Sequence, residues 1–214
     1  MVKQVRARSD EAKAARRIEI LQRAGELWTT NRYEALTLQQ VAERVGLSKP
    51  ALYAYFPTKE ELFLSLTQEV LADWFAALQE HLTLGGRHTP VSLARLMVAL
   101  LQERPALIRL LPLLSTLLER NIGPVRARAY KHWLAGRVHT LGPLLETALP
   151  GLPPGGGLRL LTYTQALMAG LYPMSDPTAS MHEVLSDPEL SLLRVEFMPA
   201  LEDSLGALCV GLVR

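Results

Sequence analysis

The sequence predicts an all-α fold in two parts, a three-helix unit containing a helix-turn-helix over residues 1–58 and a larger helical unit over residues 59–214. Three observations carry that expectation. Apolar residues recur at intervals of three and four along most of the chain, and no stretch alternates apolar and polar residues as a half-buried strand would. Between residues 36 and 62, three segments each begin at a Thr or Ser, residue types whose hydroxyls cap helices. Finally, Leu62, Leu66, Val70, Trp74 and Leu78 keep one phase for five turns, so a single helix over about 59–82 leaves the first unit and enters the second.

The totals narrow the class. With 214 residues and 49% hydrophobic content, the chain is a globular protein with a sizeable core. Its one cysteine, Cys209, excludes an internal disulfide framework, and the N-terminus lacks the apolar run of a signal peptide, so a cytoplasmic location is expected. Arg104, Arg109 and Glu119 punctuate the most apolar region, leaving no run near the roughly 18 residues a membrane span needs. Charge is unevenly placed: residues 1–60 hold 11 Lys and Arg against 7 Asp and Glu, whereas residues 61–214 hold 12 against 14. Lys3, Arg6 and Arg8 form a basic arm ahead of the first helix, followed by Lys13, Arg16 and Arg17. Such an arm either contacts phosphates or a minor groove, or is a solvated terminus.

The first helix is predicted over about 10–30, where Ile20, Ala24 and Leu27, with Leu21 and Trp28 alongside, recur at helical spacing; Asn31, tolerant of a left-handed backbone, ends it. Thr37 with Gln40 three residues on forms a capping box for a helix over 38–45, with Val41, Ala42 and Val45 turned inward. Gly46 closes that helix and Leu47 folds back to the core. Ser48 opens the next, over 49–55, with Pro50 in the first turn and Leu52 and Phe56 on one apolar face. Thr58 opens the long third helix, with Glu61 completing a second capping box. Helix, tight turn, helix is a DNA-binding layout whose second helix lies in the major groove.

Residues 18–62 carry, in order, Ile20 and Leu21, Ala24, Leu27 with Trp28, Tyr33, Thr37, Val41-Ala42, Gly46-Leu47-Ser48, Leu52-Tyr53, Tyr55-Phe56, Lys59 and Leu62. This series resembles the DNA-binding domain of the TetR family of bacterial transcriptional regulators; Arg32 after Asn31 departs from the glycine usual before the aromatic of the first turn. The resemblance implies a groove-facing set at Gln39, Ser48, Lys49, Pro50, Ala51, Tyr53, Tyr55 and Lys59. By chemistry, Thr37, Tyr53, Tyr55 and Lys59 suit phosphate contacts. Gln39, Lys49 and the small faces of Pro50 and Ala51 suit base edges and thymine methyls. One of the two tyrosines packs inside the domain in the alternative reading, with Tyr55 expected to be the more exposed.

Beyond the linker at 85–90, helices are predicted over about 91–103, over 106–120 broken at Pro112, over 123–149 interrupted at Gly142-Pro143, over 158–172, and over 188–213 kinked at Pro199. The resemblance is weaker here and implies a ligand-binding and dimerisation domain whose last two helices pair with their copies in a second subunit as a four-helix bundle. Leu160, Leu167, Leu171, Leu193, Phe197, Leu201, Leu205 and Leu208 supply apolar faces for that pairing, or else close the protomer's own core. His132, Trp133, Tyr163, Met168, Tyr172 and Met174 are large or adaptable side chains that suit a pocket for a hydrophobic or amphipathic effector, or ordinary packing.

The expected function is therefore a homodimeric repressor released from a palindromic double-stranded operator by a small molecule. A constitutive DNA-binding architectural protein is the alternative. A helical enzyme is the least favoured reading: the five histidines form no metal-ligand spacing, there is no nucleophile elbow or phosphate loop, and no metal or cofactor is expected.

Overall fold

The structure, a computed structural model, describes residues 2–213, with side chains from Glu11 onward, so Lys3, Arg6 and Arg8 of the basic arm lie outside the described side chains. Among the described residues ten α-helices run in order: α1 Val2–Thr30, α2 Leu38–Val45, α3 Lys49–Tyr53, α4 Lys59–Leu84, α5 Pro90–Gln102, α6 Pro105–Leu113, α7 Pro124–Ala148, α8 Gly156–Ser175, α9 Ala179–Leu185 and α10 Phe197–Leu212. No described residue is in a strand. None of the described helices is long and apolar enough to cross a membrane.

Two apolar clusters organise the chain. The first joins α1, α2 and α3 to the opening turns of α4 through Ile20, Ala24, Trp28, Val41, Leu52, Phe56, Leu62 and Phe63, and it also takes Leu110 from α6 and Leu118. The second is built from α4 to α8 and α10 around Leu78, Leu93, Met97, Leu101, Tyr130, Leu145 and Leu160. Helix α4 contributes to both clusters. Its buried face is wider than the stripe read from the sequence, because Phe63, Leu64, Leu71 and Phe75 are buried beside Leu62, Leu66, Trp74 and Leu78.

Local capping follows the sequence closely at most ends. Thr37 and Gln40 form the reciprocal box at the start of α2. Thr58 accepts from the Glu61 amide at the start of α4, but the return bond from the Glu61 side chain, part of the expected box, is not formed. Asn31 does close α1, though by its side chain, whose Nδ2 donates to the Leu27 carbonyl at 2.8 Å, rather than through a left-handed backbone. Helix α1 begins at Val2, well before residue 10, in keeping with a segment rich in Lys, Arg and Ala.

Prolines break fewer helices than expected. Pro143 and Pro173 lie inside α7 and α8, and Pro112 lies inside α6. Pro112 is followed by a wider π turn, Leu114–Leu118, with the Glu119 amide donating to the Leu114 carbonyl at 2.9 Å. At Pro143 the helix is held from outside, because Gly142 there meets Gly157 of α8 backbone to backbone: a Cβ on Gly157 would stand 2.2 Å from the Gly142 carbonyl oxygen. The last predicted helix is two elements. A 3-10 segment, Pro188–Leu193, ends before α10, and Pro199 sits in the first turn of α10, where its missing N–H has no partner to lose, so it does not kink the helix. No residue of α9 or of that 3-10 segment is buried.

Three candidate dimer residues require correction. Leu160, Leu201 and Leu205 are fully buried within the protomer, where α10 packs between α5 and α8, so their side chains face no partner. Leu167, Leu171, Phe197 and Leu208 are half-buried, and Leu193 is exposed.

Candidate nucleic-acid interface and the helical-half cavity

Helices α2 and α3 are set against each other by a turn that only glycine makes without strain. Gly46 has φ 73°, and the Leu47 amide then donates to the Ala42 carbonyl at 2.9 Å, which satisfies the end of α2 and sends the chain into Ser48. Ser48 accepts from the Ala51 amide at 3.4 Å. Leu52 and Phe56 anchor α3 and its exit in the core at 0% and 1% exposure.

That anchoring leaves one polar face. Gln39, Ser48, Lys49 and Pro50 are exposed and Ala51 is half-buried. The Gln39 amide donates to Glu43 at 2.7 Å. Lys49 Nζ stands 5.9 Å from the ring centre of Tyr53, which is 41% exposed. The tyrosine expectation is reversed: Tyr53 is open, whereas Tyr55 is half-buried against the N-terminal core. Helix α3 ends at Tyr53, so Tyr55 lies in a turn that no longer follows helical phase.

Two expected phosphate clamps are already engaged. The Thr37 hydroxyl accepts from the Gln40 amide in the cap. The Lys59 ammonium donates to the Tyr33 carbonyl and lies 3.8 Å from the Tyr33 ring centre. Burial lowers the Lys59 pKa, with Glu60 and Glu34 opposing that shift. The Tyr33 hydroxyl donates to Glu60 at 2.9 Å, and burial first, then that bond, raises its pKa. Lys59 is thus a brace within the unit in this arrangement.

Sequence reading passed over Arg17 as one more basic residue near the terminus. Its guanidinium lies 4.2 Å from the Phe56 ring centre and donates to the Tyr55 carbonyl at 3.2 Å and to Ser65 Oγ at 2.7 Å, tying α1 to the exit of α3. The signal was its phase: Arg17 precedes Leu21, Ala24 and Trp28 on the buried face of α1 at helical spacing.

In the helical half, a cavity of about 540 Å³ lies between α4, α5, α6, α7 and α8. Leu71, Trp74, Phe75, Leu101, Leu111, Leu134, Val138 and Leu161 make its walls largely apolar, with Lys131, His139, Glu146 and Gln165 as polar lining groups. Lys131 is paired to Glu119 at 2.6 Å. Of the six effector candidates, Met168 lines this cavity and the other five do not. His132 is exposed, Trp133 faces a groove on the α1 side, Tyr163 is 43% exposed beside α10, Tyr172 packs edge-on against Phe197 at 5.5 Å, and Met174 is 58% exposed. Helical phase sets which residues reach the cavity: on α7 these are 131, 134, 135, 138, 139, 142, 143 and 146, the face next to that of 132 and 133.

Comparison with known proteins matches this architecture. Residues 20–66 match the model of bacterial regulatory proteins of the tetR family, and residues 68–214 match the tetracyclin repressor-like C-terminal domain. The chain is 35% identical over 68 residues to the HTH-type transcriptional regulator RutR of Escherichia coli K12, covering 32% of each chain. It is 40% identical over 53 residues to the HTH-type transcriptional activator FasR of Mycolicibacterium smegmatis, covering 25% of this chain and 24% of FasR. The aligned region thus spans about a third or less of these curated relatives. Among solved structures, a TetR-family regulator from Mesorhizobium loti aligns with a TM-score of 0.53 at 18% identity, over 94% of this chain and 96% of that one. FadR of Bacillus subtilis, in complex with stearoyl-CoA, aligns with a TM-score of 0.52 at 18% identity, over 92% and 99%. The helix-turn-helix with its cap residues in place, the helical half behind it and the two family models that between them cover both identify the chain as a member of the TetR family of bacterial transcriptional regulators.

Proposed function

We propose that this chain is a cytoplasmic, ligand-responsive repressor that binds a palindromic operator as a homodimer and leaves it when a small apolar or amphipathic effector fills the 540 Å³ cavity. One observation carries the reading. Helix α4 begins six residues after the last residue of α3 and supplies Leu71, Trp74 and Phe75 to the cavity wall, so reader and cavity share one element. Division at residue 58, with residues 1–58 reading DNA and 59–214 binding effector and partner, follows from that reading.

The reader is the exposed face of α2 and α3. Gln39, Lys49, Pro50 and Ala51 address base edges, and Tyr53 with Ser48 addresses phosphates. Pairing of two copies is supported by the half-buried Leu167 and Leu208 with the exposed Tyr163, which border one groove between α8 and α10. A dimer also supplies the two half-site contacts that specific binding needs. The stearoyl-CoA in FadR supports acyl compounds as a first class to try. Effector and operator would favour different separations of the two α3 helices, so each weakens the other reciprocally.

The test is selection of bound DNA from a random pool with the full chain, followed by titration of the complex with acyl compounds. Lys49→Ala with Tyr53→Ala should abolish specific binding. Leu161→Trp, which fills the cavity, should keep operator binding and lose the response. Unchanged DNA affinity in the double variant rejects the reader, and operator binding insensitive to every compound rejects effector control in favour of constitutive binding.

A further inference from the structure

A second site lies outside both the reader and the cavity. A groove of about 630 Å³ runs where α1, α4 and α7 meet, and Arg17, Ser65, Gln68, Arg126 and Trp133 line it. Its walls are regular helix faces. Arg17 and Leu21 stand one turn apart on α1, Ser65, Gln68 and Ala72 occupy one face of α4, and Arg126 and Trp133 stand two turns apart on α7.

Two guanidinium groups converge in this groove on one neutral oxygen. Ser65 Oγ accepts from Arg17 at 2.7 Å and from Arg126 at 3.1 Å while donating its own hydrogen to the Glu61 carbonyl at 2.8 Å. Arg126 also donates to Gln68 Oε1 at 3.0 Å. Among the described residues, the ion pairs involve other cations; Arg17, Arg126 and Arg137 are in none of them. Glu61 acts on both arginines and Glu69 on Arg17, each from beyond ion-pair distance, and Glu69, which borders the groove, is exposed. Burial lowers the pKa of both arginines, and Arg126 lowers that of Arg17 further. A half-buried pair of like charges with no carboxylate within ion-pair distance is unfavourable by itself, and each guanidinium carries five donors, more than its neighbours accept.

Beside them the half-buried Trp133 lines the groove. Trp133 stacks on Tyr130 with ring centres 5.8 Å apart at 28°, and Arg137 Cζ lies 6.0 Å from the Trp133 ring. We propose that this groove is a binding site for a small aromatic oxyanion, its carboxylate or phosphoryl oxygens held by the forks of Arg17 and Arg126 and its ring lying against Trp133. Planar bidentate recognition of oxyanions is what paired arginines do best, and the indole face accounts for selectivity over bare inorganic ions.

The full chain, without DNA, is titrated calorimetrically with benzoate, phenyl phosphate and inorganic phosphate. Saturable binding of benzoate or phenyl phosphate is expected, with the tighter of the two identifying the oxyanion. Arg126→Gln should weaken it by about tenfold or more, Arg126→Lys should do so partly, and Leu161→Trp in the core cavity should leave it unchanged. Trp133→Leu should weaken the aromatic ligands while leaving inorganic phosphate unaffected, and it decides the matter if Arg126→Gln loses its helical circular dichroism. Absence of saturable binding, equal affinity for inorganic and phenyl phosphate, or loss of binding in Leu161→Trp but not in Arg126→Gln overturns the proposal. Because no operator is present, failure here leaves the repressor reading standing, and the reverse holds as well.

Discussion

Arg109 of α6 stands over the indole of Trp28, its Cζ 4.4 Å from the ring centre, and its fork donates to the carbonyls of Trp28, Thr29 and Asn31 at the C-terminal end of α1. The indole returns a bond from Nε1 to the Ala106 carbonyl at 3.3 Å. A cation at a helix C-terminus meets carbonyls that lack intrahelical partners, so this contact caps α1 and docks it on α6 together.

Arg109→Met should therefore destabilise the folded chain by about 1–3 kcal/mol through the loss of charge-assisted bonds. Arg109→Lys should fall between, since it keeps the charge without the fork. Urea denaturation followed by circular dichroism reads both, and a midpoint unchanged in Arg109→Met would show that the cap contributes nothing.

Glycine substitutions should split by position along one helix. Gly157→Ala forces a Cβ against the Gly142 backbone and should destabilise by about 1–3 kcal/mol, the range of an overpacked core. Gly170→Ala, in the same helix with nothing within 4 Å of the new Cβ, should stabilise by about 0.5–1 kcal/mol. Thermal melting of the two variants side by side checks the sign of each.

The two lysines of the first unit should separate DNA affinity from stability. Lys49→Ala should weaken DNA binding and lower the slope of log affinity against log salt by about 1 if it meets a phosphate, or relax base preference at one position if it meets a base edge. Lys59→Met should instead lower the melting temperature, because its ammonium is bound to Tyr33. Salt-dependent anisotropy and melting curves on both variants distinguish these outcomes.

Cys209 should make folding sensitive to alkali. Burial pushes its thiol from 9.0 up to about 11. The folded chain keeps the proton where the unfolded chain has lost it, so this contribution is intact below the unfolded value and is lost as pH rises from there through the folded value. Cys209→Ala should flatten the decline in stability between pH 8 and 11. A disulfide reagent should label the wild-type thiol only on unfolding, and rapid labelling of the native chain would contradict the burial.

What the sequence disclosed and what it hid divide along local and nonlocal lines. The caps at Thr37, Ser48 and Thr58 and the turn at Gly46 were legible because each depends on residues within four positions. The break at Pro112 was legible, since α6 ends one residue later, whereas Pro143 was misread as an interruption and the helix over 158–172 was ended too early, because a proline interrupts one hydrogen bond and packing from other helices decides whether the helix survives it. The exposure of Tyr53 and Tyr55 was inverted because α3 ends before its phase can be extrapolated. The cavity eluded selection by residue type for a related reason: its walls are fixed by which faces of α7 and α8 meet at Gly142 and Gly157, a contact between backbones fifteen positions apart.

Helix α4 is 26 residues long, about 39 Å at the rise of an α-helix. Leu71, Trp74 and Phe75 meet the cavity in the middle of that rod, roughly 21 Å from its first residue, so a tilt of about 5° about that point swings the end beside the reader by about 2 Å. That displacement is about half the spacing of successive base pairs along one strand, about 3.4 Å. A tilt of about 10° driven from the cavity would therefore carry Lys49 and Tyr53 by about one step of the double helix.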